Sequence, residues 1–166
     1  MRDAATGAEL QRRTIAPAPS DTEGTVYDGW TLFAAQVPDV DGDGVDELVL
    51  SSVNGAVYLH DGATLEALWS RRLEPEGLPG GEAHHAGPVI FVPETDDSPA
   101  FLAVAQSNYV RSEGKVFALD LDGTIVGEIA MHGDAHAIAL RKDGARVGVA
   151  IAAGLGVEAV EAVRAK

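Results

Sequence analysis

One short motif recurs along the chain at nearly constant spacing. Asp3, Asp61 and Asp120 each open a turn, and successive copies lie 58 and 59 residues apart. The first two turns have the pattern Asp-x-x-Thr, and the third is one residue longer. Aspartate suits such turns because its side chain accepts hydrogen bonds from the backbone two residues on. A period in this range predicts an array of similar structural units.

The segments around these turns have the composition of β-strands. They are rich in β-branched and aromatic residues, and acidic or glycine-containing segments separate them. They cover residues 33–37, 48–50 and 56–60 in the first unit and residues 88–92, 101–104 and 115–119 in the second. With the strand that follows each Asp-led turn, every unit has four antiparallel strands, which is the make-up of one β-propeller blade. The sequence therefore predicts an all-β fold, a propeller segment of four-stranded antiparallel blades.

We expect residues 1–166 to form a single, partial propeller domain. Residues 1–14 are predicted to be the last strand of a preceding blade, and residues 135–166 a partial third blade and tail. The two complete blades span residues 30–72 and residues 88–131. Closed propellers have about four to eight blades, so both terminal sheets should leave apolar faces uncovered. The expected partners at these faces are further propeller blades or copies of the same chain.

The tail combines two patterns. Residues 135–152 contain two apolar segments on either side of a Lys-Asp-Gly turn, which predicts a hairpin. Beyond it, Val157, Val160 and Val163 recur at three-residue spacing, with Glu158 near the start and Arg164 near the end. This charge order suits a helix dipole, so the pattern favours a short C-terminal helix over a further strand.

The most specific chemistry lies in the segment Asp39-Val-Asp-Gly-Asp-Gly-Val-Asp-Glu47. Its carboxylates alternate with small or apolar residues, so a tightly curled loop can turn them toward one point, where a hard cation would bind. Gly44 permits a positive φ, which lets the next carbonyl face inward. The predicted metal ligands are oxygen atoms of Asp39, Asp41, Asp43, Val45 and Glu47. An all-oxygen set favours Ca²⁺ over Mg²⁺ and Zn²⁺, so the predicted cofactor is Ca²⁺. The remaining interpretation is an acidic turn without a metal ion.

An EF-hand is excluded, because position twelve of the loop is Leu50 and not a bidentate glutamate. The loop instead resembles the calcium loops of FG-GAP and VCBS-type repeats, the blades of integrin-α-like and bacterial surface propellers. It departs from them where Phe33-Ala34 replaces Phe-Gly and where Ser51-Ser52-Val53 stands in place of Gly-Ala-Pro. The resemblance implies a calcium-stabilised module that binds proteins or carbohydrates or acts as a scaffold. It also implies an extracellular, cell-surface or periplasmic location.

The second acidic segment is a degenerate copy of the first. Glu94, Asp96 and Ser98 occupy the first three ligand places. Pro99 stands where the first loop has its glycine, and Leu102 stands where the first loop has its closing glutamate. The copy has therefore lost charge, a flexible turn and a ligand, so we predict one Ca²⁺ per chain, at the first loop.

Charge and composition exclude several classes of function. Acidic residues outnumber basic ones by 26 to 12, for a net charge of −14, so binding to nucleic acid or to an anionic membrane is not expected. The chain has no cysteine, which excludes disulfides and thiolate metal sites. No apolar stretch reaches the roughly 18 residues of a membrane span. The first residues also lack the apolar core expected of a signal peptide.

The sequence shows no catalytic constellation. It contains neither a Gly-x-Ser-x-Gly elbow nor a cysteine nucleophile, and its many carboxylates cannot be assigned as an acid and a base without geometry. The alternative hypothesis is that the chain is the propeller part of a secreted enzyme. The Asp-x-x-Thr hairpins also resemble those of quinoprotein-dehydrogenase-like propellers, and calcium propellers occur in polysaccharide lyases. In that case the active site would lie largely outside this chain.

Overall fold

The computed structural model describes residues 5–9, 31–53, 55–73, 85–96, 98–108, 113–143, 146–153 and 156–160. Within these ranges the chain forms eleven β-strands and no helix. The strands are β1 (Thr31–Val37), β2 (Glu47–Ser52), β3 (Ala56–His60), β4 (Ala67–Arg72), β5 (His85–Val92), β6 (Phe101–Asn108), β7 (Glu113–Leu119), β8 (Ile125–His132), β9 (Ala135–Asp143), β10 (Arg146–Ala153) and β11 (Gly156–Val160).

The strands form three antiparallel sheets in chain order. Sheet 1 has the order β1-β2-β3-β4, sheet 2 the order β5-β6-β7-β8, and sheet 3 the order β9-β10-β11. Every pair of neighbouring strands is also consecutive in sequence, so each sheet is a simple meander. The prediction of an all-β fold built from four-stranded antiparallel sheets is confirmed. Sheet 2 begins at His85, three residues before the predicted blade.

Successive strands β1, β5 and β9 lie next to one another, and the sheets stack in chain order. One core cluster fills the space between sheets 1 and 2, and a second fills the space between sheets 2 and 3. Strand β6 contributes to both clusters, because side chains alternate between the two faces of a strand. Leu102 and Val104 belong to the first cluster, whereas Ala103 and Ala105 belong to the second. Strand β6 is thus covered on both faces, which explains its nearly continuous apolar sequence.

Apolar side chains on the far side of sheet 1 are also buried. Leu50 and Tyr58 alternate with residues of the first core cluster, so they lie on the face directed away from sheet 2. Their exposed fractions are 6% and 4%. The expectation that both terminal sheets leave apolar faces uncovered is therefore wrong for sheet 1.

The predicted C-terminal helix is wrong for residues 156–160, which form strand β11. This strand pairs antiparallel with β10, and Val160 lies opposite Val149. The backbone of this whole segment pairs with the edge of β10. A helix of about ten residues, by contrast, is marginal in water without packing. The last six residues lie outside the described part of the chain. The predicted first strand, residues 1–14, is described only at residues 5–9, which contain a turn and an isolated bridge.

Polar side chains connect each sheet to the next. Ser51 Oγ donates a hydrogen bond to the Gly87 carbonyl oxygen at 2.6 Å. One sheet further on, Ser107 Oγ accepts a hydrogen bond from the backbone nitrogen of Ala135 at 3.0 Å. Both serines lie near the end of the second strand of their sheet, and both partners lie on the first strand of the following sheet. The two bonds have opposite directions, but each joins the second strand of one sheet to the first strand of the next.

Trp69 makes a further contact between sheets 1 and 2. Its Nε1 donates a hydrogen bond to the Leu121 carbonyl oxygen at 2.9 Å. Gly123 lies under the indole ring, since a Cβ added there would come within 3.0 Å of Trp69 Cδ2. The outermost strand of sheet 1 therefore contacts the turn between β7 and β8.

The Trp69→Phe variant is expected to be less stable by about 1 kcal/mol, because it loses this hydrogen bond but keeps an aromatic ring. Urea unfolding of the two proteins measures the difference. Leu68→Ala is the matched control, since Leu68 is the preceding residue and is 40% exposed. It should change stability by less than about 0.5 kcal/mol. Equal stability of Trp69→Phe and wild type would show that the bond contributes nothing.

Candidate metal centre

Four carboxylates come together at one end of sheet 1. Asp39, Asp41 and Asp43 lie in the exposed loop between β1 and β2, and Glu47 is the first residue of β2. One oxygen atom from each lies within 4.8 Å of the other three. The structure thus groups all four carboxylates that the sequence selected. At this separation a single cation could contact several of them at once.

The loop is folded by hydrogen bonds from its own backbone to these carboxylates. Asp39 Oδ1 accepts from the backbone nitrogen of Gly42 at 2.6 Å, and Asp39 Oδ2 accepts from that of Gly44 at 2.9 Å. Asp43 Oδ1 accepts from the backbone nitrogen of Val45 at 2.7 Å. These bonds curl the chain around Asp39.

Glu47 differs from the three aspartates because it is buried, with an exposed fraction of 1%. Its Oε2 accepts a hydrogen bond from the backbone nitrogen of Val40 at 2.6 Å, whereas its Oε1 is buried without a hydrogen-bond partner. Burial raises the pKa of Glu47, and the nearby charges of Asp41 and Asp39 raise it further, against the lowering effect of the Val40 bond. A buried carboxylate oxygen beside three other carboxylates fits a bound cation, which would supply the missing partner.

The turn chemistry of the loop follows the sequence prediction. Gly44 has a φ of 89°, so the expected positive φ is confirmed. Val45, which follows it, donates its backbone N–H to the loop and exposes its side chain. The role of its carbonyl oxygen as a metal ligand stays a prediction.

The residues that support the loop from outside were not identified from sequence. Asp46 accepts a hydrogen bond from Gln36 Nε2 at 2.6 Å and another from the backbone nitrogen of Asp39 at 3.3 Å. It therefore ties the end of β1 to the end of the loop. The only sequence signal for this role is the position of Asp46 directly before Glu47. Its partner Gln36 has no motif of its own.

The degenerate loop has a different structure. The backbones of Thr95 and Ser98 bond to each other in both directions, at 2.8 and 3.2 Å, and close a tight turn. Ser98 Oγ donates to the neighbouring Pro99 carbonyl oxygen at 3.1 Å. Among the residues that the structure describes, no second group of three or more histidine or acidic side chains is arranged to hold a metal ion.

In the described part of the chain, no helix is long and apolar enough to cross a membrane.

Comparison with known proteins identifies the fold. No family model matches the chain, and no curated protein matches it by sequence. A similar solved structure is the crystal structure of BBS1N in complex with ARL6DN, soaked with lead, with a TM-score of 0.59 and 14% sequence identity. The alignment covers 79% of this chain and 40% of that chain. The similar protein is a BBS1 β-propeller domain, so this chain has a β-propeller-like fold and spans less than half of the similar chain.

Proposed function

We propose that the chain is a calcium-stabilised segment of a β-propeller that binds a protein partner and has no catalytic role. The observation that carries the calcium part is the buried, unpartnered Oε1 of Glu47, which lies in a group of four carboxylates. Three of these belong to a loop whose backbone N–H groups bond to the carboxylates of Asp39 and Asp43. A bound cation would neutralise the group and join the loop to the first residue of β2.

The oxygen-only ligand set favours Ca²⁺, with Asp39, Asp41, Asp43 and Glu47 as its carboxylate ligands and the Val45 carbonyl as a fifth. When bound, Ca²⁺ supplies charge neutralisation and a rigid link between loop and sheet. The FG-GAP and VCBS resemblance supports this choice, since it depends on the same residues. It also supports a location outside the cytoplasm, where binding sites of low affinity are common.

The protein-binding role is supported by the fold. The similar BBS1 propeller was crystallised in complex with ARL6DN, another protein. A stack of antiparallel sheets presents its connecting loops at two ends, and such loops often carry binding residues on a rigid scaffold. We propose a protein ligand for this chain on that basis.

Isothermal titration calorimetry with CaCl₂ tests the metal site directly. Binding of one Ca²⁺ per chain is expected, with Kd of about 10⁻⁴ to 10⁻³ M. The chain is then immobilised as bait with Ca²⁺ or with a chelator, beside an Asp43→Ala bait. A partner qualifies when the purified protein binds wild type with a measurable Kd and binds the variant less tightly. Two Ca²⁺ ions per chain, or none, would contradict the assignment.

The purified chain is expected to show no hydrolase, lyase or dehydrogenase activity. The sequence has neither a cysteine nucleophile nor a nucleophile-elbow serine, and the carboxylates of the loop are engaged by backbone N–H groups. Assays with polysaccharide and alcohol substrates, in the presence of Ca²⁺, measure this. Saturable turnover that a single substitution outside the calcium loop abolishes would favour the enzyme hypothesis instead.

A further inference from the structure

A glycine of the neighbouring hairpin lies directly against the end of the acidic loop. Gly62 belongs to the turn between β3 and β4 and is buried. A Cβ added to Gly62 would collide with the carbonyl oxygen of Asp46 and would lie 3.1 Å from Cγ1 of Val45. The φ of Gly62 is not in the left-handed region. This position therefore requires glycine because of the close contact and not because of the turn itself.

Hydrogen bonds of Asp61 stabilise the hairpin that carries Gly62. The backbone nitrogen of Asp61 donates to the Glu66 carbonyl oxygen at 2.9 Å and closes the turn. Asp61 Oδ1 accepts from the backbone nitrogens of Ala63 at 2.8 Å and Thr64 at 2.7 Å. Gly62 thus presents a rigid backbone surface to the loop.

The contact concerns the segment that joins two of the proposed ligands. Asp46 lies between Val45, whose carbonyl is a proposed ligand, and Glu47, whose carboxylate is another, and the Asp46 carbonyl belongs to the peptide that joins Asp46 to Glu47. On one side Gln36 of β1 holds the Asp46 side chain, and on the other side Gly62 limits the position of the Asp46 carbonyl. A shift of Asp46 would therefore displace the backbone of both neighbouring ligand residues.

The hairpin also leads to the contact between sheets. Strand β4 follows the hairpin, and its Trp69 packs over Gly123 and donates to the Leu121 carbonyl oxygen of sheet 2. We propose that Gly62 is a positioning residue for the calcium loop and that bound Ca²⁺, through this hairpin, stabilises the contact of Trp69 with sheet 2. This inference depends on the proposed calcium site. The same backbone contact would thus connect metal binding to the packing of neighbouring sheets.

The first test compares the calcium affinities of two glycine variants by calorimetry. Gly62→Ala is expected to bind Ca²⁺ about 10- to 100-fold more weakly, as is usual when a group that supports metal ligands is altered. Gly127→Ala is the matched control, because a Cβ there meets only the Ala118 Cβ, at 3.9 Å. It should bind Ca²⁺ with the affinity of wild type. Unchanged affinity in folded Gly62→Ala would overturn the proposal.

Variants of Asp61 and Asp120 test the proposal if Gly62→Ala does not fold. Asp61→Ala removes the side-chain acceptor that fixes the hairpin beside the loop, whereas Asp120→Ala removes the equivalent acceptor, bonded to Thr124, in sheet 2. Asp61→Ala should weaken Ca²⁺ binding more than Asp120→Ala does. Asp61→Asn, which removes the charge but keeps an acceptor, should remain close to wild type. Equal affinities for Asp61→Ala and Asp61→Asn would contradict a positioning role of the hairpin.

The second test follows Trp69 by fluorescence. The chain has two tryptophans, so Trp30→Phe leaves Trp69 as the sole indole reporter. Adding Ca²⁺ should change its emission with the midpoint that calorimetry gives, and Gly62→Ala should move both midpoints together. If wild type binds Ca²⁺ but the emission of Trp69 does not respond, the coupling is wrong and the calcium site stands. If wild type does not bind Ca²⁺, both the calcium site and this inference fail.

Discussion

Calcium is expected to raise the melting temperature of the wild-type chain by about 5 to 10 °C and to leave that of Asp43→Ala unchanged. At free Ca²⁺ about one hundred times above Kd, binding to the folded state alone adds roughly 2.7 kcal/mol to the free energy of unfolding. For a chain of this size, 1 kcal/mol corresponds to about 2 to 4 °C. Asp43 belongs to the group of four carboxylates, and its Oδ1 also accepts the backbone bond from Val45 that curls the loop. Its removal therefore eliminates a ligand and loosens the loop.

The matched control for this experiment is Asp96→Ala. Asp96 occupies the second ligand place of the degenerate loop, where Thr95 and Ser98 close a tight turn. Its substitution should leave the calcium-dependent shift intact. Differential scanning calorimetry with Ca²⁺ and with a chelator measures all three proteins. A melting temperature of wild type that does not respond to Ca²⁺ would show that the loop is an acidic turn without a metal.

The parts of the fold that sequence predicted are those with local patterns. The apolar segment at residues 101–104 predicted strand β6, and in the structure Leu102 and Val104 lie on one face and Ala103 on the other. The spacing of the Asp-led turns predicted the length of the repeated four-stranded unit. Strand β11 was missed because its valine spacing resembles a helix and its pairing with β10 depends on tertiary contact. A pattern in a short segment cannot show that an open strand edge lies beside it.

In the candidate metal site, too, local features could be predicted from sequence and tertiary contacts could not. The four carboxylates could be selected from sequence because they are regularly spaced within nine residues, as ligands of one cation in a single loop would be. The support from Gly62 could not be predicted, because Gly62 and Asp46 lie in different turns of sheet 1 and are 16 residues apart in the sequence. The burial of Glu47 could not be predicted either, because the sequence does not distinguish Glu47 from its loop neighbours, which are all exposed. Yet this burial is the feature that distinguishes the group from an ordinary acidic surface turn.

The Glu47→Gln variant is expected to be more stable than wild type without calcium and less stable with it. Without a metal, the ionised Glu47 carboxylate is buried near Asp39 and Asp41, and its Oε1 has no hydrogen-bond partner. Glutamine keeps an acceptor for the Val40 N–H, removes the charge and offers N–H donors to the neighbouring carboxylates. Relief of the buried, unsatisfied group should stabilise the chelated protein by about 1 to 3 kcal/mol. The calcium-dependent gain disappears because a ligand is lost.

The dependence of this difference on pH provides a separate check. Burial raises the pKa of Glu47 in the folded chain, so between its ordinary pKa and this raised pKa the folded state binds more protons than the unfolded state. The contribution of Glu47 to stability is therefore present in acid and is lost as pH rises through that interval. Below it, protonated Glu47 is neutral, and chelated wild type should match Glu47→Gln. Glu94→Gln, at an exposed position of the degenerate loop, should change stability by less than about 0.5 kcal/mol with or without Ca²⁺. Urea unfolding at several pH values measures all three proteins, and a Glu47→Gln variant less stable than chelated wild type at neutral pH would contradict the unsatisfied state of the Glu47 carboxylate.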